Sequence, residues 1–220
     1  MGLKRNLVNL ITDITLQDYP KLSRINILEL GNQEVRSGEG FFEKTGKEYW
    51  TNQGLNHVSV DLNGKNGALK KDLTEIDQFL EFQNKFEVVY NSGTTEHVEP
   101  YESQYEAFRI IDFCTKVNGF MFHSVPEITN RDNNGIWEAH CHYYYSKEFF
   151  DNLAKECNYE LLYLKVLPTN VTCAFKKTEN SSFMIDKELF LSEIAVRNKN
   201  LSFKGNPDYT FQNKEFNPFI

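Results

Sequence analysis

Apolar positions along the chain fall into two alternating rhythms. Residues 3–16 carry Leu3, Leu7, Leu10, Ile11 and Ile14 at helical spacing, and Asp18-Tyr19-Pro20 ends that helix. Residues 25–30, reading INILEL, are nearly all apolar, as a strand buried on both faces of a parallel sheet should be. Residues 32–56 turn polar and hold Gly38, Gly40, Gly46 and Gly54. Phe41, Phe42, Tyr49 and Trp50 within that stretch need a surface to pack on, and residues 44–53 are the best place for a crossover helix. A second strand follows at 57–62, a turn at 63–67, a short third strand at 68–73 and a helical turn at 74–80.

The second half repeats the rhythm more strongly. Residues 86–91, FEVVYN, form a strand that stops abruptly at Ser92-Gly93-Thr94-Thr95. Residues 101–117 have helical periodicity, and Asn118-Gly119 reads as the stop of that helix. A fifth strand covers 119–125 and ends at Pro126, and 127–137 is a polar loop. Ser146 is placed to cap the helix KEFFDNLAKECN, whose Phe149, Phe150, Leu153 and Cys157 share one face. Strands at 159–167 and 169–176, joined at Pro168, form an antiparallel hairpin at the sheet edge. Residues 184–196 suggest one more helix, and 198–220, rich in Asn, Phe and Gly, wrap the domain or stay irregular.

Strand–helix alternation places the central strands parallel, with helices on both faces. The predicted fold is a three-layer α/β/α sandwich, Rossmann-like, with a mostly parallel sheet and an antiparallel strand near its edge. The chain of 220 residues suits one such domain. Its core is 24–177, with a helical extension at 1–23 and a helical or irregular one at 178–220. In these sheets ligands sit beyond the carboxyl ends of the strands, where the strand order reverses.

Composition narrows the ligands. A formal net charge of -7 with no basic stripe argues against a nucleic-acid surface. Cys114, Cys141, Cys157 and Cys173 have apolar or aromatic neighbours and read as buried thiols rather than a disulfide scaffold. No long apolar run approaches a membrane span, and the first residues have no secretory leader pattern, so a cytoplasmic protein is expected.

The candidate chemistry lies at strand ends. Glu29 stands in a very apolar strand just before Gly31, and its burial needs a partner. Asp61 ends the second strand, where a carboxylate can accept from both hydroxyls of a ribose. Each residue also has a plainer reading: Glu29 at an exposed edge, Asp61 forming a turn, Asp72 capping the next helix. Ser92 to His97 follow the fourth strand directly and face the same end, or else cap the following helix. His123 is either a strand-end group or a core histidine. His140 and His142 share a face if extended. With Glu138 or His123 they could bind a metal, but two histidines at this spacing are not a closed ligand set, so none is expected. Trp137, His142, Tyr143 and Tyr144 supply imidazole, phenol and indole for a substrate wall, or form a core seam.

Over residues 24–177 these features resemble the class I S-adenosylmethionine-dependent methyltransferases. The runs NSGTTEHV and HCHYYYSKEFFDNLA are similar to a bacterial and viral methyltransferase-like subgroup, in which the second glycine of the first loop is often replaced. The resemblance implies a seven-stranded sheet with its last strand antiparallel, inserted next to the sixth, and S-adenosyl-L-methionine as cofactor. It implies that Glu29, Gly31, Asn32 and Gln33 line the first loop, that Asp61 with Leu62 holds the ribose, and that Asp72 approaches the adenine amine. Asn91, Ser92 and Gly93 would line the methionine side. The usual Gly-x-Gly is here Gly31-Asn32-Gln33, so Gln33 either restricts the cofactor or contacts its carboxylate.

Methyl transfer from an activated donor needs alignment and exclusion of water, and a general base only where the acceptor loses a proton. His97 is the first choice for that base, ahead of His123 and His140. Glu96, His97, Trp137, His142, Tyr143 and Tyr144 would contact a small polar acceptor, a sugar hydroxyl or an amine. Two other functions fit the same elements: a methyltransferase-like interaction protein without catalysis, and a nucleotide- or nicotinamide-dependent enzyme on a related sheet. The absence of a full Gly-x-Gly-x-x-Gly turn weighs against the last. The final residues, 201–220, would cover the acceptor pocket or join two copies as a homodimer.

Overall fold

The computed structural model describes residues 2–35, 38–128, 141–180, 183 and 185–196. Its main sheet has seven strands: β1 (Asn26–Leu30), β2 (Asn56–Asp61), β3 (Leu69–Lys70), β4 (Phe86–Ser92), β5 (Thr115–Pro126), β7 (Tyr159–Val166) and β8 (Asn170–Lys177). Their order across the sheet is β3-β2-β1-β4-β5-β8-β7. The pairs β3-β2, β2-β1, β1-β4 and β4-β5 are parallel, whereas β8 runs antiparallel to both neighbours. The reversed strand therefore lies inside the sheet, and β7 forms the edge. Strand order turns back between β1 and β4, which makes the crevice at their carboxyl ends the expected ligand position.

Side-chain alternation sorts the core onto two faces. Ile27, Val88, Tyr90, Phe120 and Phe122 pack under α1 (Arg5–Asp18) and Trp50 of α2 (Gly46–Asn52). Leu28, Leu30, Val89, Met121 and Val125 face the other way, under α3 (Ser103–Cys114), α4 (Lys147–Glu156) and α5 (Lys187–Ser192). Ser146 caps α4 as expected, accepting from the Phe149 amide at 3.0 Å. All four cysteines are buried, and no disulfide joins them. No helix among the described residues is long and apolar enough to cross a membrane.

Several boundaries differ from the sequence reading. α3 stops at Cys114 instead of continuing to Val117, because the Thr115 hydroxyl takes the Ile111 carbonyl at 2.7 Å and the chain becomes extended. Asn118, with φ 63°, then sits in a bulged register between β4 and β5 rather than at a helix end. The helical turn after β3 is a 3-10 helix, Ile76–Phe82. The last predicted helix shortens to α5, and Ala195–Val196 forms β9 instead, paired with β6 (Tyr143–Tyr144). Phe42 lacks the packing surface expected for it and is fully exposed.

Candidate functional site

The first loop turns at Gly31, whose φ of 78° lies where side chains are disfavoured. A Cβ there would run into Thr94 Oγ1 and come within 2.8 Å of Gln33 Nε2. Gln33 is buried. Its amide nitrogen donates to the Leu30 carbonyl at 3.1 Å and to Thr94 Oγ1 at 3.2 Å, while the Thr94 hydroxyl donates to the same carbonyl at 2.7 Å. These bonds tie the end of β1 to the loop after β4, across the crevice. Gln33 Oε1 is buried and has no hydrogen-bond partner among the described residues.

Asp61 closes the other side of the loop. Its Oδ2 accepts from the Asn32 amide at 2.9 Å and its Oδ1 from the Asn63 amide at 2.9 Å. Each oxygen has accepted once, and a carboxylate oxygen has two lone pairs, so both retain capacity toward a diol. Leu62 beside it is 62% exposed, an apolar side chain left open at the strand end. Asp72 is occupied in a local turn, its Oδ1 accepting from the Thr74 amide at 2.9 Å, and it does not cap the following 3-10 helix, whose N-cap is Glu75.

Glu29 lies on the α2 face, 1% exposed. Its Oε1 accepts from the Gln33 amide at 2.9 Å; its Oε2 accepts from the Tyr90 hydroxyl and lies 3.3 Å from His57 Nε2. Burial holds the carboxyl above the usual range, against the hydrogen bond from His57. The carboxylate therefore braces the loop through its backbone. Gly46 is pressed against it: a Cβ there would overlap Glu29 Oε2 and lie 2.8 Å from Tyr90 Oη. Asn91 is likewise turned to support, its Oδ1 accepting from the Thr94 and Thr95 amides at 3.1 and 3.2 Å. Ser92 and Gly93 are buried directly before that turn.

A second set of groups gathers after β4. Glu96 is 0% exposed, and neither carboxylate oxygen has a hydrogen-bond partner among the described residues. Its Oε1 lies 3.9 Å from His97 Nε2. The His142 amide donates to the Glu96 carbonyl at 3.1 Å, His142 Nδ1 lies 3.0 Å from Glu99 Oε1, and the His97 and His142 rings meet edge-on at 6.2 Å. Burial pushes the Glu96 carboxyl from 4.5 to about 7, and burial also pushes Glu99 up to about 7.

The sign of the Glu96 effect on stability follows. A folded-state pKa above the unfolded value means that folded protein keeps a proton the unfolded chain releases, so stability falls as pH rises from about 4.5 through about 7. Glutamine carries no charge to bury. Glu96→Gln is expected to exceed the parent in stability by ~3 kcal/mol above neutral pH, a gain that disappears in acid. Urea unfolding across the pH range reads this directly, and a gain independent of pH would be the contrary result.

Other predicted residues fall elsewhere. His123 is 1% exposed, stacked on Phe108 at 5.2 Å and ringed by Phe150 and Phe175, and burial lowers its pKa to about 3. That is the environment of a neutral core histidine, the second of its two readings. Tyr143 and Tyr144 are fully buried in β6. The Tyr145 hydroxyl is held within the core, donating to Gln104 Oε1 at 2.6 Å, with Thr95 Oγ1 at 3.1 Å. Trp137 and His140 lie outside the described residues. His57, Gly46 and Glu99 were not foreseen, whereas Thr94 lies in the stretch from Ser92 to His97 and Tyr90 in the strand end just before it. A concavity lined by Thr45, Lys47, Glu48, Thr51, Asn52 and Asn66 shares no residue with the strand-end groups.

No family model and no curated protein matches the chain by sequence. Solved structures do match in shape. One is a 1,6-didemethyltoxoflavin N1-methyltransferase from Burkholderia thailandensis, with bound 1,6-didemethyltoxoflavin and S-adenosylhomocysteine, at TM-score 0.53 and 14% identity over 79% of each chain. Another is the CurJ carbon methyltransferase, at TM-score 0.52 and 9% identity over 80% of this chain and 54% of that one. A third is an O-methyltransferase family protein from Burkholderia thailandensis, at TM-score 0.50 and 8% identity over 80% of this chain and 57% of that one. Together with the strand order and the reversed β8, these likenesses show that the chain has the fold of the class I S-adenosylmethionine-dependent methyltransferases.

Proposed function

We propose that this protein is an S-adenosylmethionine-dependent methyltransferase acting on a small polar acceptor, a hydroxyl or amine compound such as a sugar. The observation that carries this reading is Asp61, which fastens the Asn32 amide of the first loop and keeps a lone pair on each oxygen, beside exposed Leu62. The residues fit the cofactor at both ends. Asp61 would hold the ribose hydroxyls and Leu62 would cover one face of the base. At the amino-acid end, Gln33 Oε1 is a buried acceptor that an ammonium group would satisfy. When bound, the cofactor supplies a methyl group already activated on a sulfonium. The chain then contributes alignment, exclusion of water and management of the acceptor's proton. Glu96 and His97, two and three residues beyond Thr94, would serve that last task.

The competing reading is a methyltransferase-like interaction protein, and it draws on the Gln33–Thr94 bridge, which crosses the crevice. Calorimetry with S-adenosylmethionine and S-adenosylhomocysteine separates the two. Micromolar to low millimolar affinity for both is expected, and absence of binding by either one would favour the interaction protein.

A further inference from the structure

We infer that β7 is the docking edge for a second copy of this chain, which pairs with it antiparallel about a two-fold axis between Leu162 and Tyr163. β5 and β8 separate this edge from β4 and the strand-end groups, so its role is independent of the methyltransferase reading. β7 ends the sheet order, and among the described residues it pairs with β8 alone. Its eight residues therefore present a row of backbone donors and acceptors on the outer side. Leu161 and Val166 on it are 38% and 45% exposed. Such an edge can take an added strand, and the side chains decide which strand it takes.

The register with β8 shifts between Leu161 and Tyr163, which leaves Leu162 as the extra residue of a bulge. Leu162 and Tyr163 consequently share a face, and both pack against the core under α1. Tyr159 and Leu164 pack against the core under α3. Leu161 and Val166 lie opposite Phe175 and Val171 of that same α3-side core. Alternation then turns Glu160 and Lys165 to the α1 face. Along β7 the order of faces thus reads the same from either end. Residues directly opposite in an antiparallel pair share a face. In a regular strand, an axis between two residues would set unlike faces against each other, and the bulge removes that conflict.

About this axis Glu160 meets the partner's Lys165, Leu161 the partner's Leu164, and Tyr159 the partner's Val166. Two-fold symmetry makes each of these contacts twice. Within its own chain Glu160 lies opposite Lys176, already paired with Asp18, and Lys165 lies opposite Thr172, so both charges gain a counterion in this register. A bulge and a lysine also serve to keep an edge free. Opposite charges at matched positions go further, because a guard needs no counterpart. β7 runs parallel to β5, since β8 is antiparallel to both. The two crevices therefore point in opposite directions, and pairing at this edge leaves both open.

Analytical ultracentrifugation of the full chain tests this. The parent is expected to dimerise as its concentration rises. Glu160→Lys and Lys165→Glu each set like charges opposite one another in both pairs, and each should weaken the dimer ~10-fold or more. The two substitutions combined rebuild both pairs with the charges exchanged and should restore the dimer. Amide exchange over residues 159–166 should slow with concentration in the parent and the double variant, and much less in the singles. Thermal melts confirm that all four proteins fold. A parent that stays monomeric, single variants that dimerise as well as the parent, or a double variant no better than the singles would each overturn the inference. Slow exchange of these amides in a monomer would overturn it too, and would assign the edge to this chain's own residues.

Discussion

An Asp61→Ala variant is expected to fold as the parent does and to bind S-adenosylhomocysteine ~100-fold or more weakly. Asp61 is partly exposed at the end of β2 and belongs to neither buried cluster, so its removal leaves the core intact. Hydrogen bonds to a charged group contribute about 1.5–3 kcal/mol each, and a ribose diol makes two. Every ~1.4 kcal/mol is a factor of ten in affinity, so loss of the pair spans two to four decades. The variant also frees the Asn32 amide, which loosens the loop and adds to the loss. Asp61→Asn keeps one acceptor oxygen and should fall between the two. Calorimetry beside a thermal melt measures both parts; unchanged affinity in Asp61→Ala would remove this residue from the cofactor site.

The frame of this site was legible in the residues, and its bracing was not. Five strands, their parallel order and the terminal hairpin follow from apolar runs and turn residues, because a strand buried on both faces leaves a continuous signature such as INILEL. The position of Asp61 at the end of the second strand was legible as well, since it is the carboxylate that closes the run HVSVD. Glu29 was correctly marked as a buried acid in need of a partner. Its partners, however, come from three places distant in the chain: the Gln33 amide, His57 on β2 and Tyr90 on β4. No local pattern encodes such a meeting. His123 shows the opposite failure, since a strand-end histidine and a core histidine have the same neighbours in sequence and differ only in what α3 and α4 lay over them.

The replaced glycine has a physical account in the same terms. Positive φ is confined in this loop to Gly31, and Gln33 adopts an ordinary backbone that any residue tolerates. What the usual second glycine offers is room, and Gln33 fills that room with an amide already committed to Leu30 and Thr94. The fold keeps the turn and exchanges empty space for a polar side chain with one unused acceptor. On the proposed reading, Gln33 is the residue on which cofactor affinity would turn at the amino-acid end.

Gly46→Ala is expected to destabilise the protein by about 3–5 kcal/mol and to weaken cofactor binding with it. The added methyl would overlap the Glu29 carboxylate and press on Tyr90 Oη. Neither can yield freely. Glu29 is held by the Gln33 amide, His57 and Tyr90, and Tyr90 Oη also accepts from Trp50 Nε1 at 3.2 Å. Overpacking alone costs about 1–3 kcal/mol, and displacing a buried carboxylate from its donors adds about 1.5–3 kcal/mol for each bond lost. At ~2–4 °C per kcal/mol for a chain of this size, the melting temperature should drop by roughly 10 °C. The cause is testable by compensation. Glu29→Ala removes the oxygen that the methyl strikes, so the double variant should be less destabilised than the sum of the singles, by more than the ~0.5 kcal/mol within which independent sites add. Strict additivity would show that Gly46 and Glu29 do not act through one contact, and the loop would then need another brace.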